Sequence, residues 1–356
     1  MELEELGWCP FFEDPFDIYR EAGFVPLRVV AHQGNLYTAM GEEGEFTGKV
    51  TGRMRYECAQ MGDFPAVGDW ITAKINPENG TMFIRAVLPR RTKFTRARLN
   101  KGAYVGEQVV SANVDLLFIV IGMDQELSPG RVQRYVAQAS TSGAELAILL
   151  NKADVCPDVK SVLKALNEVI SDIPVIVTSA VTGEGLDGIL AHLDKAKTGS
   201  LVGISGVGKS TLINAILGDD QLRTGDVREH DSKGRHTTTH RELILLPNGA
   251  MLIDNPGMRG MGLDCSEEAV TSMYEDVEAI MHRCKFRNCQ HVTEPNCAIK
   301  AALADGTLSE ERYRNYLQFR KELYIRSYDK SQRSRIRSEV SRAVRRREES
   351  LKRIGR

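Results

Sequence analysis

The stretch LVGISGVGKSTLINAIL, residues 201–217, decides the fold. An apolar strand pattern at 201–204 leads into a glycine-rich loop of the form G-x-x-x-x-G-K-[ST], and a helical run at 211–217 follows. In this strand–loop–helix order, backbone N–H groups and the positive end of the helix dipole converge on phosphate groups. The pattern therefore predicts a phosphate-binding loop made of Gly203, Ile204, Ser205, Gly206, Val207, Gly208, Lys209, Ser210 and Thr211.

Two residues of this loop have distinct expected roles. The Lys209 ammonium would reach the β- and γ-phosphates of a nucleotide, and we expect it to act in catalysis. The Ser210 hydroxyl would bind the Mg²⁺ that accompanies the nucleotide.

A base-reading motif precedes the phosphate loop. Asn151, Lys152, Ala153 and Asp154 follow the apolar run at 146–150. A carboxylate at Asp154 can accept two N–H bonds from guanine that adenine cannot supply, so the motif predicts GTP or GDP and disfavours ATP. A second strand pattern at 174–178 ends in Ser179-Ala180, whose backbone N–H groups would meet the guanine carbonyl.

The order of these motifs indicates a circular permutation. Strand and helix patterns alternate from 114 to 254, which is typical of a doubly wound sheet. Joining the usual termini through residues 191–199 and cutting the chain just after Asp254 would preserve the sheet, because surface loops tolerate such rearrangements. The strand patterns lie at 114–121, 146–150, 174–178, 200–204, 242–246 and 251–254, with helical patterns at 129–141 and 159–170.

The segment Asp254-Asn255-Pro256-Gly257 fits the D-x-x-G pattern. In this pattern the carboxylate reaches Mg²⁺ through water and the glycine N–H senses the γ-phosphate. The polar segment 219–240 contains three threonines at 237–239, one of which should close over the metal ion and the γ-phosphate, as switch segments do. The pattern does not distinguish among Thr237, Thr238 and Thr239, and we take Thr238 as the candidate.

The residue after Gly257 is Met258, which can neither orient nor polarise water. Ras-like enzymes have a glutamine there. Intrinsic hydrolysis should therefore be slow and should depend on a partner. His236 is a candidate for positioning the attacking water. The alternative is that His236 is an ordinary exposed loop residue with no catalytic role.

Three cysteines and one histidine form a compact cluster: Cys284, Cys289, His291 and Cys297. Three thiols and one imidazole make a closed structural zinc set. The segment is short and polar, so it could hardly hold a core without a metal ion. The other cysteines have no comparable spacing, which argues against a disulfide framework and favours a reduced, cytoplasmic environment.

The composition fits a soluble protein of several domains: 356 residues, 42% hydrophobic and 27% charged. The longest mainly apolar run has nine residues, 114–122, with Asp115 inside it, whereas a membrane span needs roughly 20. The acidic residues at the amino terminus predict no secretory signal. Charge is uneven: residues 330–356 carry 11 Lys and Arg against three Glu, whereas residues 1–22 carry seven acidic groups and one Arg. A basic arm of this kind favours contact with a phosphate backbone.

Residues 24–90 contain five short β-like runs separated by turn residues, which indicates a small barrel, and an OB-type barrel is common at this size. Residues 1–22 are expected to be an irregular acidic lead-in, and residues 91–112 a linker. After residue 264 the chain is predicted to be helical, with a capping box at 307–310 opening a helix to about Ser327. Tyr313, Tyr316, Leu317 and Tyr324 should share one face of that helix and pack.

Taken together, NKAD at 151–154, SA at 179–180, GISGVGKST at 203–211, GRHTTT at 234–239, DNPG at 254–257 and the cysteine–histidine cluster resemble the RsgA or YjeQ family. This is the family of circularly permuted GTPases of small ribosomal subunit biogenesis. The resemblance covers about residues 25–330. Two features depart from the usual pattern: Asn255 stands where threonine is more frequent, and the acidic stretch 1–22 is longer than expected.

The resemblance implies a multidomain chain that binds the small (30S) ribosomal subunit and its rRNA, hydrolyses GTP when stimulated by it, and releases assembly factors. It also implies one structural Zn²⁺, and we expect a cytoplasmic monomer without a membrane contact. The expected organisation is an acidic extension 1–23, an OB-fold RNA-binding domain 24–90, a linker 91–112, a permuted α/β P-loop GTPase domain 113–263, a zinc-binding helical domain 264–329 and a basic arm 330–356.

Two other functions remain open from the residues. The chain could be an RNA-binding module of barrel and zinc domain in which the nucleotide mainly orders the structure, and Met258 keeps this alternative open. The other open function is that of a GTPase acting on another RNA, such as tRNA, which is the third hypothesis. The sequence carries no catalytic constellation for RNA modification, which disfavours the third.

Overall fold

A computed structural model describes residues 1–58, 61–100, 103–124, 129–168, 170, 172–218, 241–255, 271, 273–292 and 294–326. Within these ranges no helix is both long enough and apolar enough to cross a membrane. The chain divides into two compact units, Met1–Pro129 with Ser142–Asp264 and Gly130–Thr141 with Cys265–Arg356.

A parallel sheet forms one half of the first unit. Five strands run parallel in the order β10-β9-β8-β11-β13, and the antiparallel strand β12 follows β13. Both faces of β8 and β9 carry buried apolar residues, as is typical of parallel sheets. These elements are β8 (Leu116–Gly122), β9 (Glu145–Asn151), α4 (Val159–Asn167), β10 (Val175–Val177), α5 (Leu186–Ala191), β11 (Thr198–Val202), α6 (Lys209–Leu217), β12 (Arg241–Leu245) and β13 (Met251–Asp254).

The permuted chain order is confirmed by this topology. The strand before the phosphate loop, β11, lies between β8 and β13, although β8 comes 80 residues before it and β13 follows it. The chain passes from α5 to β11 through residues 192–197, within the predicted join. All six predicted strands exist, with ends that differ by up to two residues.

A closed five-stranded barrel forms the other half of the first unit. Its strands pair in the order β1-β2-β3-β5-β4, and β4 pairs back with β1. The β3–β5 pairing is parallel and a short helix, α2, lies between β3 and β4, which together give an OB-type barrel. These elements are β1 (Val25–Gln33), β2 (Leu36–Gly41), β3 (Gly44–Val50), α2 (Gly52–Glu57), β4 (Trp70–Ile75) and β5 (Met82–Val87).

The barrel and the parallel sheet share one continuous set of backbone hydrogen bonds. The end of β1 pairs antiparallel with β12, with Ala31 opposite Glu242 and His32 opposite Arg241. A register shift between Val29 and Ala31 separates the parts of β1 that serve the two bodies. This pairing covers the edge strand β12, which would otherwise present unpaired backbone groups.

Three expectations about local structure were wrong. The acidic lead-in is not irregular: a 3₁₀ turn, Leu3–Leu6, precedes the helix α1 (Pro10–Arg20), which buries Phe12 and Phe16. The expected linker is an antiparallel hairpin of β6 (Lys93–Asn100) and β7 (Ala103–Ala112). The third β-like run of the barrel was expected at 46–53, but its strand ends at Val50, because α2 begins at Gly52 and Thr51 caps it.

The second unit is helical. It contains α3 (Pro129–Ser140), α7 (Glu275–Met281), α8 (Ala298–Ala304) and α9 (Glu310–Arg326). The cap of α9 is Ser309, whose Oγ accepts from the Arg312 N–H at 3.2 Å, so the helix begins later than the capping box at 307–310 predicted. The expected packing face is buried at Tyr313, Tyr316 and Leu317, whereas Tyr324 is half exposed.

α3 belongs to this unit through specific contacts. The Tyr274 hydroxyl donates to Gln133 Oε1 at 2.9 Å, and the Arg134 guanidinium lies 5.5 Å from the Phe319 ring centre. The helix that follows β8 along the chain is therefore built into the helical unit.

Gly48 provides a test of barrel closure. A Cβ at this position would lie 1.7 Å from the Met82 carbonyl oxygen on the paired strand β5. We expect Gly48→Ala to lower the free energy of unfolding by at least about 2 kcal/mol, because neither backbone can yield. Urea unfolding followed by tryptophan fluorescence measures this, since the chain's two tryptophans, Trp8 and Trp70, are buried in one cluster beside the barrel.

Gly52→Ala is the matched control, because a Cβ there meets nothing within 4 Å. Equal unfolding midpoints for the two variants would contradict the β3–β5 pairing.

Candidate functional site

Those predicted nucleotide-binding residues that the structure describes lie at one edge of the parallel sheet. Because β8, β9, β10, β11 and β13 run in the same direction, their carboxyl ends lie along this edge. Ligands of open α/β sheets bind outside such carboxyl ends. The phosphate loop follows β11, the base motif follows β9, Ser179 and Ala180 follow β10, and Asp254 ends β13.

The phosphate loop has the backbone that its glycines permit. Gly206 and Gly208 have positive φ angles of 86° and 91°, and Gly208 is the residue before α6. A side chain would be strained at both positions. The loop therefore turns its backbone around the start of α6, where N–H groups and the helix dipole attract anions.

Lys209 is buried at the base of this loop. Its ammonium donates to the carbonyl oxygens of Gly203 and Ile204, both at 3.0 Å. Burial lowers the pKa of Lys209 to about 8, although the nearby carboxylate of Asp254 opposes that shift. A phosphate group in the loop would supply the negative charge that this desolvated ammonium needs.

Asn151 joins the base motif to the phosphate loop. Its side-chain Nδ2 donates to the Val207 carbonyl at 2.8 Å, and its Oδ1 accepts from the Thr178 hydroxyl at 3.2 Å. The side chain is 1% exposed, so both halves of the amide depend on these partners. A Cβ on Gly208 would approach Asn151 Nδ2 to 2.4 Å, which shows how tightly the two segments meet.

Asp154 and Ser179 lie side by side. The Ser179 hydroxyl donates to Asp154 Oδ1 at 2.6 Å and accepts from the Val181 and Thr182 N–H groups at 3.3 and 3.2 Å. The loop after β10 is thereby folded against the Asp154 carboxylate. This geometry leaves the second carboxylate oxygen for a pair of N–H donors such as those of guanine.

Ser210 and Asp254, the residues expected to hold Mg²⁺, lie in contact. The Ser210 hydroxyl donates to Asp254 Oδ2 at 3.0 Å. Oδ1 of Asp254 is buried, and within the described ranges no donor bonds to it. Burial also raises the pKa of Asp254. A buried carboxylate with an unused oxygen beside a hydroxyl fits a hydrated Mg²⁺, which prefers oxygen ligands.

Two residues of this edge were missed by the sequence analysis. Asp124 Oδ2 accepts from the Lys152 ammonium at 2.6 Å and so orients the lysine of the base motif. Thr178 holds Asn151, as described above. Asp124 lies two residues beyond the end of β8, and Thr178 lies one residue beyond the end of β10. Their position just after a strand was the signal that could have identified them.

The switch residues lie outside the described residues. These are His236, Thr237, Thr238, Thr239, Gly257 and Met258. Their expected roles stay predictions.

The cysteine–histidine cluster is assembled in the second unit. One ligand atom from each of Cys284, Cys289, His291 and Cys297 lies within 4.8 Å of the others. His291 Nδ1 is 3.4 Å from Cys297 Sγ and 3.6 Å from Cys284 Sγ, and these two sulfurs are 4.0 Å apart. Ligands on a tetrahedral zinc ion would be separated by about 3.5–3.8 Å.

The cluster's chemistry also fits a metal ion. Burial raises the pKa of the Cys297 thiol, and the adjacent cysteines add to this. Three thiols in a partly buried loop become thiolates when a cation compensates their charge. Zinc is the metal that this donor set and geometry suit.

A phosphate loop, a base motif and a contacting serine–aspartate pair at the carboxyl edge of a sheet, in permuted chain order, define a circularly permuted P-loop GTPase. The family model described as RsgA GTPase matches residues 87–264. The chain belongs to the RsgA GTPase family, as its relatives confirm.

Curated relatives match along most of their length. A protein named small ribosomal subunit biogenesis GTPase RsgA, from Syntrophotalea carbinolica, is 40% identical over 91% of this chain and 90% of its own. A protein of the same name from Methanosarcina acetivorans is 42% identical over 75% of this chain and 72% of its own.

Solved structures agree with the fold. The structure of YjeQ from Thermotoga maritima matches with a TM-score of 0.61 and 28% identity, over 85% of this chain and 99% of its own. YloQ, described as a circularly permuted GTPase, matches with a TM-score of 0.57 over 86% of this chain and 97% of its own. Its 22% identity supports the fold alone.

Replacing Asp154 tests the base motif. We expect Asp154→Asn to weaken GDP binding by roughly 100-fold or more, because a site built to pair with substrate N–H groups then leaves donors facing donors. The same variant should gain affinity for xanthosine diphosphate, which presents an oxygen where guanine has its amino group. Isothermal titration with both nucleotides measures the exchange.

Glu168→Gln is the control, since Glu168 is exposed at the end of α4. If Asp154→Asn kept its preference for guanine, the proposed role of Asp154 would be wrong.

Proposed function

We propose that this chain binds the small ribosomal subunit and hydrolyses GTP on it during late subunit assembly. The observation that carries the proposal is the contact of Asn151 with Val207, because it joins a guanine motif to a phosphate loop in one preformed site. The names of the relatives support the ribosomal partner. These names favour an enzyme over a passive RNA-binding module.

The nucleotide would be held at both ends. Asp154 would accept the guanine N–H groups, with Asn151, Lys152 and Ala153 shaping that pocket. The Ser179-Ala180 turn would supply a backbone donor to the guanine carbonyl. The contacts to the phosphates would come from the phosphate loop: Gly203, Ile204, Ser205, Gly206, Val207, Gly208, Lys209, Ser210 and Thr211.

Hydrolysis depends on neutralising the charge that develops on the transferred phosphoryl group. The Lys209 ammonium would move from the loop carbonyls to the β- and γ-phosphates. Mg²⁺, when bound with GTP, would supply further positive charge to the phosphates. Ser210 and Asp254 would hold it, and Gly257 and Thr238 would complete the γ-phosphate contacts.

Water activation is the weakest part of the site. Met258 follows Gly257, so the usual glutamine is missing. We propose that His236 positions the attacking water, once the small subunit has brought this segment over the γ-phosphate. This dependence would make hydrolysis a signal that the subunit is bound.

The cysteine–histidine cluster would hold one structural zinc ion. All four protein ligands are supplied, so no position stays open for substrate. The metal ion would stabilise the loop between α7 and α8, whose ends carry Cys284 and Cys297.

RNA contact would involve the flanking parts of the chain. The barrel and the basic residues 330–356 are suited to rRNA, because phosphate backbones attract clustered lysine and arginine. We further propose that the chain acts as a cytoplasmic monomer and that hydrolysis accompanies the release of assembly factors. Loss of the γ-phosphate would relax Gly257, which precedes the helical unit in the chain.

Zinc content tests the cluster. We expect the purified protein to carry one zinc ion and Cys289→Ser to lose it, because three remaining ligands bind zinc far more weakly. Elemental analysis together with thermal unfolding measures both effects. Cys58→Ser is the control, since Cys58 lies after α2 in the barrel and outside the cluster. Stoichiometric zinc in Cys289→Ser would show that the ligand set is different.

GTP turnover tests the function itself. We expect slow hydrolysis by the protein alone and stimulation by isolated small subunits of roughly tenfold or more, because partners that complete a GTPase site act at least this strongly. Large subunits and ATP are the controls. A rate that small subunits leave unchanged would instead favour the RNA-binding module.

A further inference from the structure

A second cavity lies at the opposite end of the parallel sheet, where β8 and β11 begin. Its volume is about 160 Å³, several times what one water molecule needs. The amino-terminal segment forms one wall with Cys9 and Phe12, and β1 contributes Arg28. Thr198, at the start of β11, forms another wall. The phosphate loop follows the other end of β11, so this cavity is separate from the nucleotide site.

Arg28 is the unusual residue of this cavity. Its side chain is buried, at 1% exposure, and its hydrogen bonds go to neutral acceptors. One terminal nitrogen donates to the Leu6 carbonyl and to Met251 Sδ, and the other donates to the Asn113 carbonyl and to Thr198 Oγ1 at 2.8 Å.

The Nε–H of Arg28 bonds to nothing within the described ranges. No carboxylate there accepts a hydrogen bond from Arg28, so the guanidinium charge is buried without a direct counterion. Burial accordingly lowers the pKa of Arg28 to about 10. Proteins normally pair a buried cation with an anion.

The carboxylates of Asp115 and Asp69 offset this guanidinium charge only in part, and each is already paired with another cation, Asp69 with Arg90. The carboxylate of Asp115 is shared between Arg91 and Lys197, and its Oδ2 also accepts from the Thr198 N–H at 2.9 Å. Four cationic side chains line the cavity, Arg28, Arg91, Lys195 and Lys197, against two carboxylates, Glu4 and Asp115, so its walls are net positive. Lys195 additionally pairs with Glu5 at 3.0 Å.

We propose that this cavity binds a compact phosphate dianion, either inorganic phosphate or a small phosphate monoester. The net positive charge of the walls favours an anion, and guanidinium groups recognise such oxyanions with charge-assisted hydrogen bonds. The Thr198 hydroxyl provides a polar contact in the same wall. The ligand would connect α1, the barrel and the base of the parallel sheet through their side chains.

Cys9 offers a direct readout. Its half-buried thiol lines the cavity and lies 3.8 Å from a terminal nitrogen of Arg91. A bound anion would screen the thiol from an alkylating reagent such as iodoacetamide. Peptide-resolved mass spectrometry separates its alkylation from that of the other cysteines.

The experiment measures the alkylation rate of Cys9 with increasing inorganic phosphate, in parallel with glycerol phosphate, and with chloride at matched ionic strength. Saturating GDP is present throughout, because the phosphate loop would otherwise bind the same ions. Lys197→Gln removes one cation whose side chain is half exposed, so it should leave the fold intact. Arg53→Gln is the control, since Arg53 is an exposed cation on α2.

We expect phosphate to slow Cys9 alkylation with saturation, by roughly tenfold at ten times the dissociation constant. Lys197→Gln should require several-fold more phosphate for the same protection, and Arg53→Gln should behave like the unchanged protein. Stronger protection by glycerol phosphate than by phosphate would identify a monoester as the ligand, and the reverse order would identify the free ion.

Three results would overturn the proposal. These are an alkylation rate that no phosphate compound changes, equal protection by chloride, and equal protection of Lys197→Gln and the unchanged protein. None of them bears on GTP hydrolysis, so the proposed function would stand or fall separately.

Discussion

The buried amide of Asn151 is the contact on which the nucleotide site depends. It links the end of β9 to the phosphate loop after β11, although β8 lies between these strands. Leaving a buried amide without hydrogen bonds costs about 1–3 kcal/mol of stability. Val207 and Thr178 therefore hold the Asn151 side chain in place, and Asn151 holds these two residues in turn. The separation between base and phosphate subsites is set by this bridge before any nucleotide arrives. The nucleotide site also depends on Lys209 and Asp254, whose buried charges are only partly compensated while no nucleotide is bound.

The permutation alters what lies beside the sheet more than the sheet itself. Strand pairing depends on neighbours in space, so β11 has the same two flanking strands whichever way the chain enters. The changed order does place a barrel strand next to β12. With Ala31 and His32 paired to it, β12 is no longer an edge, and the barrel becomes a continuation of the sheet. A change in β12 would therefore reach the barrel through backbone hydrogen bonds.

Most of the nucleotide site was predictable, because its motifs sit at strand ends and apolar periodicity finds the strands. The missed elements depend on distant contacts or broken periodicity. α1 contains Pro15 and three acidic residues, and its helix is stabilised where Phe12 packs on Trp70 and Phe16 on Trp8. In the hairpin of β6 and β7, two register shifts interrupt the alternation that would have indicated strands. Arg28 had no sequence signal, since its burial follows from how three parts of the chain meet.

Several residues with a strained backbone lie at the candidate sites described above. Among the described residues, six other than glycine have positive φ, and Lys152, His291, Asn113 and Ala196 are four of them. Lys152 belongs to the base motif and His291 to the metal cluster, whereas Asn113 and Ala196 line the second cavity. Such conformations cost about 1 kcal/mol or more each for side chains larger than glycine, and persist where surrounding contacts determine them. At Lys152 the ion pair with Asp124 does this, and at His291 the three thiols would do so through a shared metal ion. Strain at the second cavity, beside a buried guanidinium that bonds to no carboxylate among the described residues, is the pattern expected where a ligand supplies further contacts.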